Sequence, residues 1–473
     1  MPKQKSVKPL YRLCVSYVSS NIQQLCPEHN PVAYVFPAHV NEDLVDALQS
    51  YKQSNFVSLN HLLTHRLRRV SLSFIDCHLP IGRPSRLPDL LSQISMHGKQ
   101  LLELSLVGAV HQDDSTLVAA LCELPRLRRL SLCLNNVTDR VVSVIAQHCT
   151  DLVELRFSGQ RTTDQSLYLL AACKQLRCLL VESDLTFESH ITVSSSYRIL
   201  EELPQLRSLK MPFLTEALLL FPDTWRLGLT HYTERGLSPL LRCSTAFEHI
   251  VKVCPRLTKV SLVLTGLETI TPLRHLKALN DLTLRVTSFS SDMFFKTQVE
   301  PVLREVGCNL RMLTLSLPEV DIGAISRHCP GLTDLEIEDL RRVLPSCGET
   351  RFRKLQRLKF FPHEVNSMTS GELFEMLKHA GDLVEACLGW CQLTDAALGT
   401  LVSSGTFAKL REFELNEVDC ISGVGLEDLV TTPSDLNSLT VFGCDGVSRT
   451  DIEHLRNLIS DLNLDLVIRF FEL

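Results

Sequence analysis

The chain has 473 residues, 45% of them apolar and 22% charged, and a formal net charge of −6. That is ample material for a core, and with no basic block longer than "RLRR" at 66–69 and 126–129, nucleic acid is not an expected partner. No run approaches the roughly 18 apolar residues of a membrane span, and the first residues lack the apolar stretch of a signal peptide.

In chain order, the first candidate element is "KPLYRLCVSYV". If it is helical, Leu10, Cys14 and Val18 fall at i, i+4 and i+8 on one narrow face, behind Pro9. A small, soft Cys between two aliphatic side chains gives that face a notch that a partner can fill. The same pattern also suits a helix that covers the end of a repeat array. A turn-rich "CPEHNP" separates it from "FPAHVNEDL", where Pro37 can open a second helix after Phe36, placing Val40 and Leu44 on a shared face.

From residue 59 onward one unit recurs: L-x-x-L-x-L, a turn, then an amphipathic stretch. The clearest copies begin at Leu127 (with Leu130 and Leu132) and Leu152 (with Leu155 and Phe157). Further copies start at Leu176, Leu206, Leu257, Leu279, Leu310, Leu332, Leu355, Leu383, Leu410 and Leu436, and weaker ones at Leu67 and Leu101. Steps of mostly about 22 to 31 residues are those of leucine-rich repeats. The alternating core predicts a short strand with its leucines inward. Thr138-Asp139, Thr163-Asp164 and Thr394-Asp395 precede helical periodicity, where a side-chain oxygen can cap a helix start. The expected fold is an α/β leucine-rich-repeat solenoid, a horseshoe with parallel strands concave and helices convex, over residues 59–473, preceded by a helical region over 1–58. Residues 184–200, with the run Ser194 to Ser196, and 212–250, with a degraded copy at "TWRLGLT", are expected to form longer loops or distorted repeats.

Cysteines recur in phase with the repeat, at Cys149, Cys173, Cys254, Cys308 and Cys329, which predicts small buried spacers. Seventeen in all, odd in number and evenly spread, they point to reduced thiols in cytosol or nucleus instead of a disulfide framework. There is no C-x-x-C pair. Cys387 and Cys391 fall on a strand and its turn, so they are read as structural and no metal site is expected. No phosphate loop, nucleophile elbow or H-E-x-x-H occurs, so neither a catalytic residue nor a cofactor is assigned and binding is the expected class.

The Leu10, Cys14, Val18 segment resembles the elongin C-binding BC-box of substrate receptors in cullin–RING ubiquitin ligases. Phe36, Pro37, Val40 and Leu44 resemble the cullin box of cullin-2-type receptors. Together, over roughly residues 8–46, they are similar to the VHL-box arrangement of Zyg-11, leucine-rich-repeat-1 and PRAME-like receptors. The Thr-Asp pairs, with the His-Cys pairs His148-Cys149 and His328-Cys329, are similar to the cysteine-containing repeats of F-box/leucine-rich-repeat and antagonist-of-mitotic-exit-network proteins. The resemblance implies a non-catalytic substrate receptor with elongin C (and elongin B), a cullin-2-type scaffold and a protein substrate as partners. The cullin-5 pattern L-P-x-P is absent. Two alternatives stand beside it. One is a scaffold or inhibitor without ligase attachment, whose first helix is a cap. The other is an F-box-type receptor, although no Trp occurs before Trp225 and residues 46–58 turn polar early.

Strand residues flanking the inward leucines should face solvent. In the C-terminal repeats these are Asp334, Glu336 and Glu338, then Arg357 and Lys359, then Glu385 and Cys387 with Trp390 beyond them, then Glu412 and Glu414. Such a face, acidic and crossed by one basic row, is the expected seat of a basic, partly apolar segment of a target.

Overall fold

The alternating leucines form parallel strands joined by helices or short helical turns, the architecture of a leucine-rich-repeat solenoid. The computed structural model describes residues 10–21, 37–50, 67–73, 87–108, 114–133, 137–182, 190–234, 238–243, 245–287, 293–345, 351–363, 370–432 and 434–472. The chain divides into two units, residues 8–232 and 233–473. The junction expected at 58/59 lies outside the described residues.

In the N-terminal unit, α1 (Leu10–Ser20) and α2 (Ala38–Ser50) precede a parallel sheet. Its strands follow in sequence order: β1 (Arg69–Ser73), β2 (Glu103–Val107), β3 (Arg129–Cys133), β4 (Glu154–Ser158), β5 (Cys178–Glu182), β6 (Ser208–Lys210) and β7 (His231–Glu234), whose first two residues close the unit. The register aligns Leu72, Leu106 and Leu132, each no more than 3% exposed. Each such leucine contributes about 1.5–3 kcal/mol of transfer free energy.

The repeats are also joined through the main chain just before each strand. The carbonyl of Arg68 accepts from the N–H groups of Leu102 (2.7 Å) and Glu103 (3.0 Å), and that of Leu102 from Arg128 (2.8 Å) and Arg129 (3.0 Å). The pattern persists in the C-terminal unit, where Arg411 accepts from Asn437 and Ser438. Ahead of β1, among the described residues, no earlier repeat supplies that carbonyl, and Glu42 of α2 takes its place. One carboxylate oxygen, Oε1, accepts from the N–H groups of Arg68 (3.0 Å) and Arg69 (3.1 Å). Asp46, one turn on, pairs with Arg69 at 3.0 Å. Helix α2 therefore caps the solenoid.

The Thr-Asp pairs work differently from the sequence expectation. Thr138 and Thr163 stand at helix N-cap positions but their side chains make no capping bond; only Thr394 does, accepting from Ala397 N–H. The aspartate instead links consecutive repeats. Asp139 accepts from Thr163 N–H (2.7 Å), Thr163 Oγ1 (2.8 Å) and Ser166 Oγ (2.6 Å). Asp164 does the same for Thr192, and Asp395 for Ser422. Donation to the anion does not exclude capping, since Thr192 and Ser422 also accept from Ser194 N–H and Val424 N–H at their own helix starts.

Within the described residues, parts of the two irregular stretches form regular elements. Ser194 to Ser196 lie in the helix Val193–Glu202, capped by Thr192, with Ser195 and Ser196 buried. The degraded copy leads into β7, where Tyr232 is fully buried in the slot of an inward leucine and its hydroxyl meets Thr215 at 2.7 Å.

In the C-terminal unit the order is β8 (Lys259–Leu264), β9 (Asp281–Val286), β10 (Met312–Ser316), β12 (Asp334–Leu340), β14 (Arg357–Pro362), β15 (Glu385–Gly389), β16 (Glu412–Asn416), β17 (Ser438–Phe442) and β18 (Val467–Phe471). A separate parallel pair, β11 (Glu319–Val320) and β13 (Arg342–Val343), carries a Glu319–Arg342 ion pair. Of the phased cysteines, Cys149, Cys173, Cys254 and Cys329 are buried, whereas Cys308 is exposed, because it sits in a 3-10 turn (Gly307–Asn309) outside the core.

Candidate functional site

Helix α1 packs on α2 through one face. Val15 and Val18 are half-buried and Ser19 is buried, while Tyr11 donates its hydroxyl to Asp43 Oδ2 at 2.5 Å and lies 6.5 Å from the His39 ring. That hydrogen bond holds the Tyr11 hydroxyl above its ordinary pKa, helped by its desolvation and the Asp43 charge.

The opposite face is left to solvent. Leu10 is 76% and Tyr17 is 68% exposed, and Leu13 and Cys14 between them are exposed as well. These four, at i, i+3, i+4 and i+7, form a continuous apolar ridge. Of the sequence-selected triplet, Leu10 and Cys14 lie on the ridge and Val18 at its buried margin. Leu13 and Tyr17 were missed by reading in steps of four alone; the 3.6-residue period from Leu10 reaches both.

In the second segment Phe36 lies outside the described residues. Pro37 is exposed and opens the first turn of α2, its carbonyl accepting from Val40 N–H (2.9 Å) and Asn41 N–H (3.1 Å). Val40 is half-buried. Leu44, however, is 1% exposed and is corrected from a contact residue to a core residue. Its face of α2, with Val45, turns inward because the same helix must cap β1.

On the C-terminal sheet face, most of the charges selected from sequence engage one another. Arg357 pairs with Asp334, Lys359 with Glu336 at 3.9 Å, and Glu338 with Arg285 of β9 at 3.2 Å. The N-terminal face is similarly compensated: Arg129 lies between Glu103 (2.7 Å) and Glu154 (3.7 Å), and Glu182 between Arg156 (2.8 Å) and Lys210 (3.5 Å). Glu385, Glu412 and Glu414 differ. All three are exposed, and among the described residues none has an ion-pair partner; Asn416 donates to Glu414 Oε1 at 3.0 Å. Glu412 stands in register beside Glu385, and Glu414 beside Cys387. Burial pushes the Cys387 thiol up to about 12, with Glu414 adding to it, so it is an inert neighbour. Trp390 is 39% exposed just past β15.

Cys391 is buried, its thiol also raised to about 12 by burial. Among the described residues no group of three or more His, Cys, Asp or Glu side chains is placed to hold a metal ion. No helix among them is long and apolar enough to cross a membrane.

No protein-family model matches the sequence, and curated proteins yield no significant match. Among solved structures the chain is similar to the yeast Rad7 and Elc1 complex (14% identity, TM-score 0.42, covering 94% of this chain and 96% of that one). It is also similar to an internalin, InlF, of Listeria monocytogenes strain 4b F2365 (13%, TM-score 0.35, 93% and 98%). A third is the TLR13–ssRNA13 complex (14%, TM-score 0.36, 89% and 54%). At such identities likeness extends to the fold alone, so function has to come from this chain's own residues.

Proposed function

We propose that the chain is the substrate-recognition subunit of an elongin BC–cullin-2-type E3 ubiquitin ligase. The observation that carries this reading is the outward apolar ridge of α1. A scaffold without ligase attachment would use its first helix as a cap, but here α2 caps β1 through Glu42 and α1 is left with an uncovered face. Leu10, Cys14 and Val18, with Leu13 and Tyr17, would seat on elongin C, elongin B following as its partner. Phe36, Pro37 and Val40 would approach the cullin, with Leu44 holding their helix in place from within. The strand faces would hold the target protein, and the chain would act in cytosol or nucleus without chemistry of its own. Ubiquitin transfer would belong to the RING partner and its conjugating enzyme, for which this subunit supplies proximity and orientation.

The test is calorimetric titration of the full chain with purified elongin B–elongin C. Full burial of a leucine is worth about 1.5–3 kcal/mol, and Leu10 retains 76% exposure, so about 1.1–2.3 kcal/mol remains for a partner to gain. Leu10→Ala should weaken binding roughly 6- to 50-fold and leave thermal stability nearly unchanged. Wild-type protein that does not bind elongin C, or a Leu10→Ala variant that binds as tightly as wild type, would overturn the proposal.

A further inference from the structure

Across five neighbouring strands the C-terminal sheet face shows a pattern found nowhere else on the described faces. Glu412 lies directly beside Glu385, two strand residues of like charge, and Glu414 follows on the same face of the sheet. The one cation in register with Glu385 is Arg357, and its guanidinium is engaged by Asp334. Arg469 of β18 lies two strands from Glu414 and makes no ion pair with it. Like charges directly opposite one another destabilise a sheet, so this arrangement costs the fold something that the compensated rows do not.

On three of the same five strands the third outward position is aromatic: Phe361, Phe442 and Phe471. Phe361 leans across Gly389, where a Cβ would come within 2.5 Å of its ring, and meets Trp390 edge-on with centroids 6.2 Å apart. Two strands beyond Gly389, Phe442 and Phe471 form a second pair, also 6.2 Å apart, with Phe471 49% exposed. Gly389 and Asn416 leave the space between the pairs low. Trp390 has a φ of +46°, a left-handed conformation that is costly for a bulky residue, and its N–H is held by the Asn416 carbonyl at 3.0 Å. The indole stands 39% exposed at the rim of this face.

Carboxylates on neighbouring strands stand about 4.8 Å apart at the backbone, a separation that one planar guanidinium can bridge, and aromatic faces attract the same group. We infer that the face of β14–β18 binds an extended, arginine-bearing segment of a protein, its cations on Glu385, Glu412 and Glu414 and its apolar side chains between the two aromatic pairs. This deepens the reading of the chain as a target receptor by naming the class of target it takes. It also narrows the sequence expectation, since Asp334 and Glu336 are occupied with Arg357 and Lys359, and Glu338 with Arg285.

The experiment presents full-length protein to an array of ten-residue peptides in which each position is varied among Arg, Lys, Glu and Gly on Leu-, Phe- or Ser-containing backgrounds. Selection of Arg over Lys, and of both over Glu, on the apolar backgrounds is expected. The double variant Glu412→Gln/Glu414→Gln and the single variant Trp390→Ala should each bind the selected peptides about tenfold more weakly. Glu103→Gln, on the N-terminal sheet face and paired there with Arg129, should bind them as wild type does. Relief of like-charge repulsion should leave the urea midpoint of the double variant at or above that of wild type, so its binding loss cannot be attributed to unfolding. Absence of peptide binding, indifference to peptide charge, or wild-type binding by the double variant would overturn the inference. Leu10→Ala should bind the array normally. If elongin C fails to bind wild type while the array still selects arginine, the ligase reading falls and this one stands.

Discussion

Replacing Glu42 by Ala removes one carboxylate oxygen and, with it, the partner of two backbone donors at the first strand, Arg68 N–H at 3.0 Å and Arg69 N–H at 3.1 Å. Hydrogen bonds to a charged group are worth about 1.5–3 kcal/mol each when buried. Here the donors sit at an exposed sheet edge where water can replace the carboxylate, so the pair together should contribute about 1.5–3 kcal/mol. The nearby Arg69–Asp46 pair, exposed on both sides, adds at most about 1 kcal/mol and stays in place. Glu42→Gln keeps an acceptor oxygen and loses the charge, so it should lose about half as much. Urea denaturation measures the global effect, and native-state hydrogen exchange isolates it: the Arg68 and Arg69 amides should exchange roughly ten- to hundredfold faster in Glu42→Ala. Unchanged exchange at both amides would refute the idea that this side chain stands in for a missing repeat.

Other expectations can be checked in parallel. Burial alone would raise the Asp139 pKa, but hydrogen bonds from Ser166 and Thr163 outweigh it and hold the carboxyl below its ordinary range. Its stabilising contribution is therefore present above the unfolded carboxyl pKa and lost as pH falls through the folded one, so Asp139→Ala should flatten the acid side of the stability–pH curve measured by denaturation. Tyr232→Phe should cost about 1–2 kcal/mol by thermal or urea unfolding, because the Thr215 hydroxyl loses a buried partner. Leu44→Ala, emptying a core site 1% exposed, should cost about 2–5 kcal/mol in the same assays, in contrast to the near-neutral Leu10→Ala.

The repeat fold was legible because each strand carries its own evidence: leucines at Leu130 and Leu132, or Leu155 and Phe157, alternate inward in any register. Tyr232 was not, since a tyrosine in a leucine slot breaks the pattern and its hydroxyl meets Thr215, which lies earlier in the chain. The linking role of Asp139 was hidden for a related reason. Its partners Thr163 and Ser166 belong to the next repeat, and the local Thr138-Asp139 dipeptide reads equally well as a helix cap. At the candidate site, the helical period exposed the Leu10–Cys14 face, but which side of α2 turns inward depends on its docking to β1, which the segment around Leu44 does not encode by itself. The same holds for the charged face. Which acids are spent on Arg357 and Lys359, and which are left open, follows from inter-strand register over more than twenty residues.

If elongin C covers the outward face of α1 as proposed, Cys14 should lose its accessibility when the complex forms. Cys14, Cys243, Cys308 and Cys420 are exposed, while Cys149, Cys254 and Cys329 are buried with thiols raised to about 12 by desolvation. Brief alkylation near neutral pH, read by mass spectrometry, should modify the first four and spare the last three. Saturating elongin B–elongin C should then protect Cys14 alone among the four, leaving Cys243, Cys308 and Cys420 as reactive as before. A bound complex in which Cys14 is alkylated at the rate seen in the free protein would contradict the account.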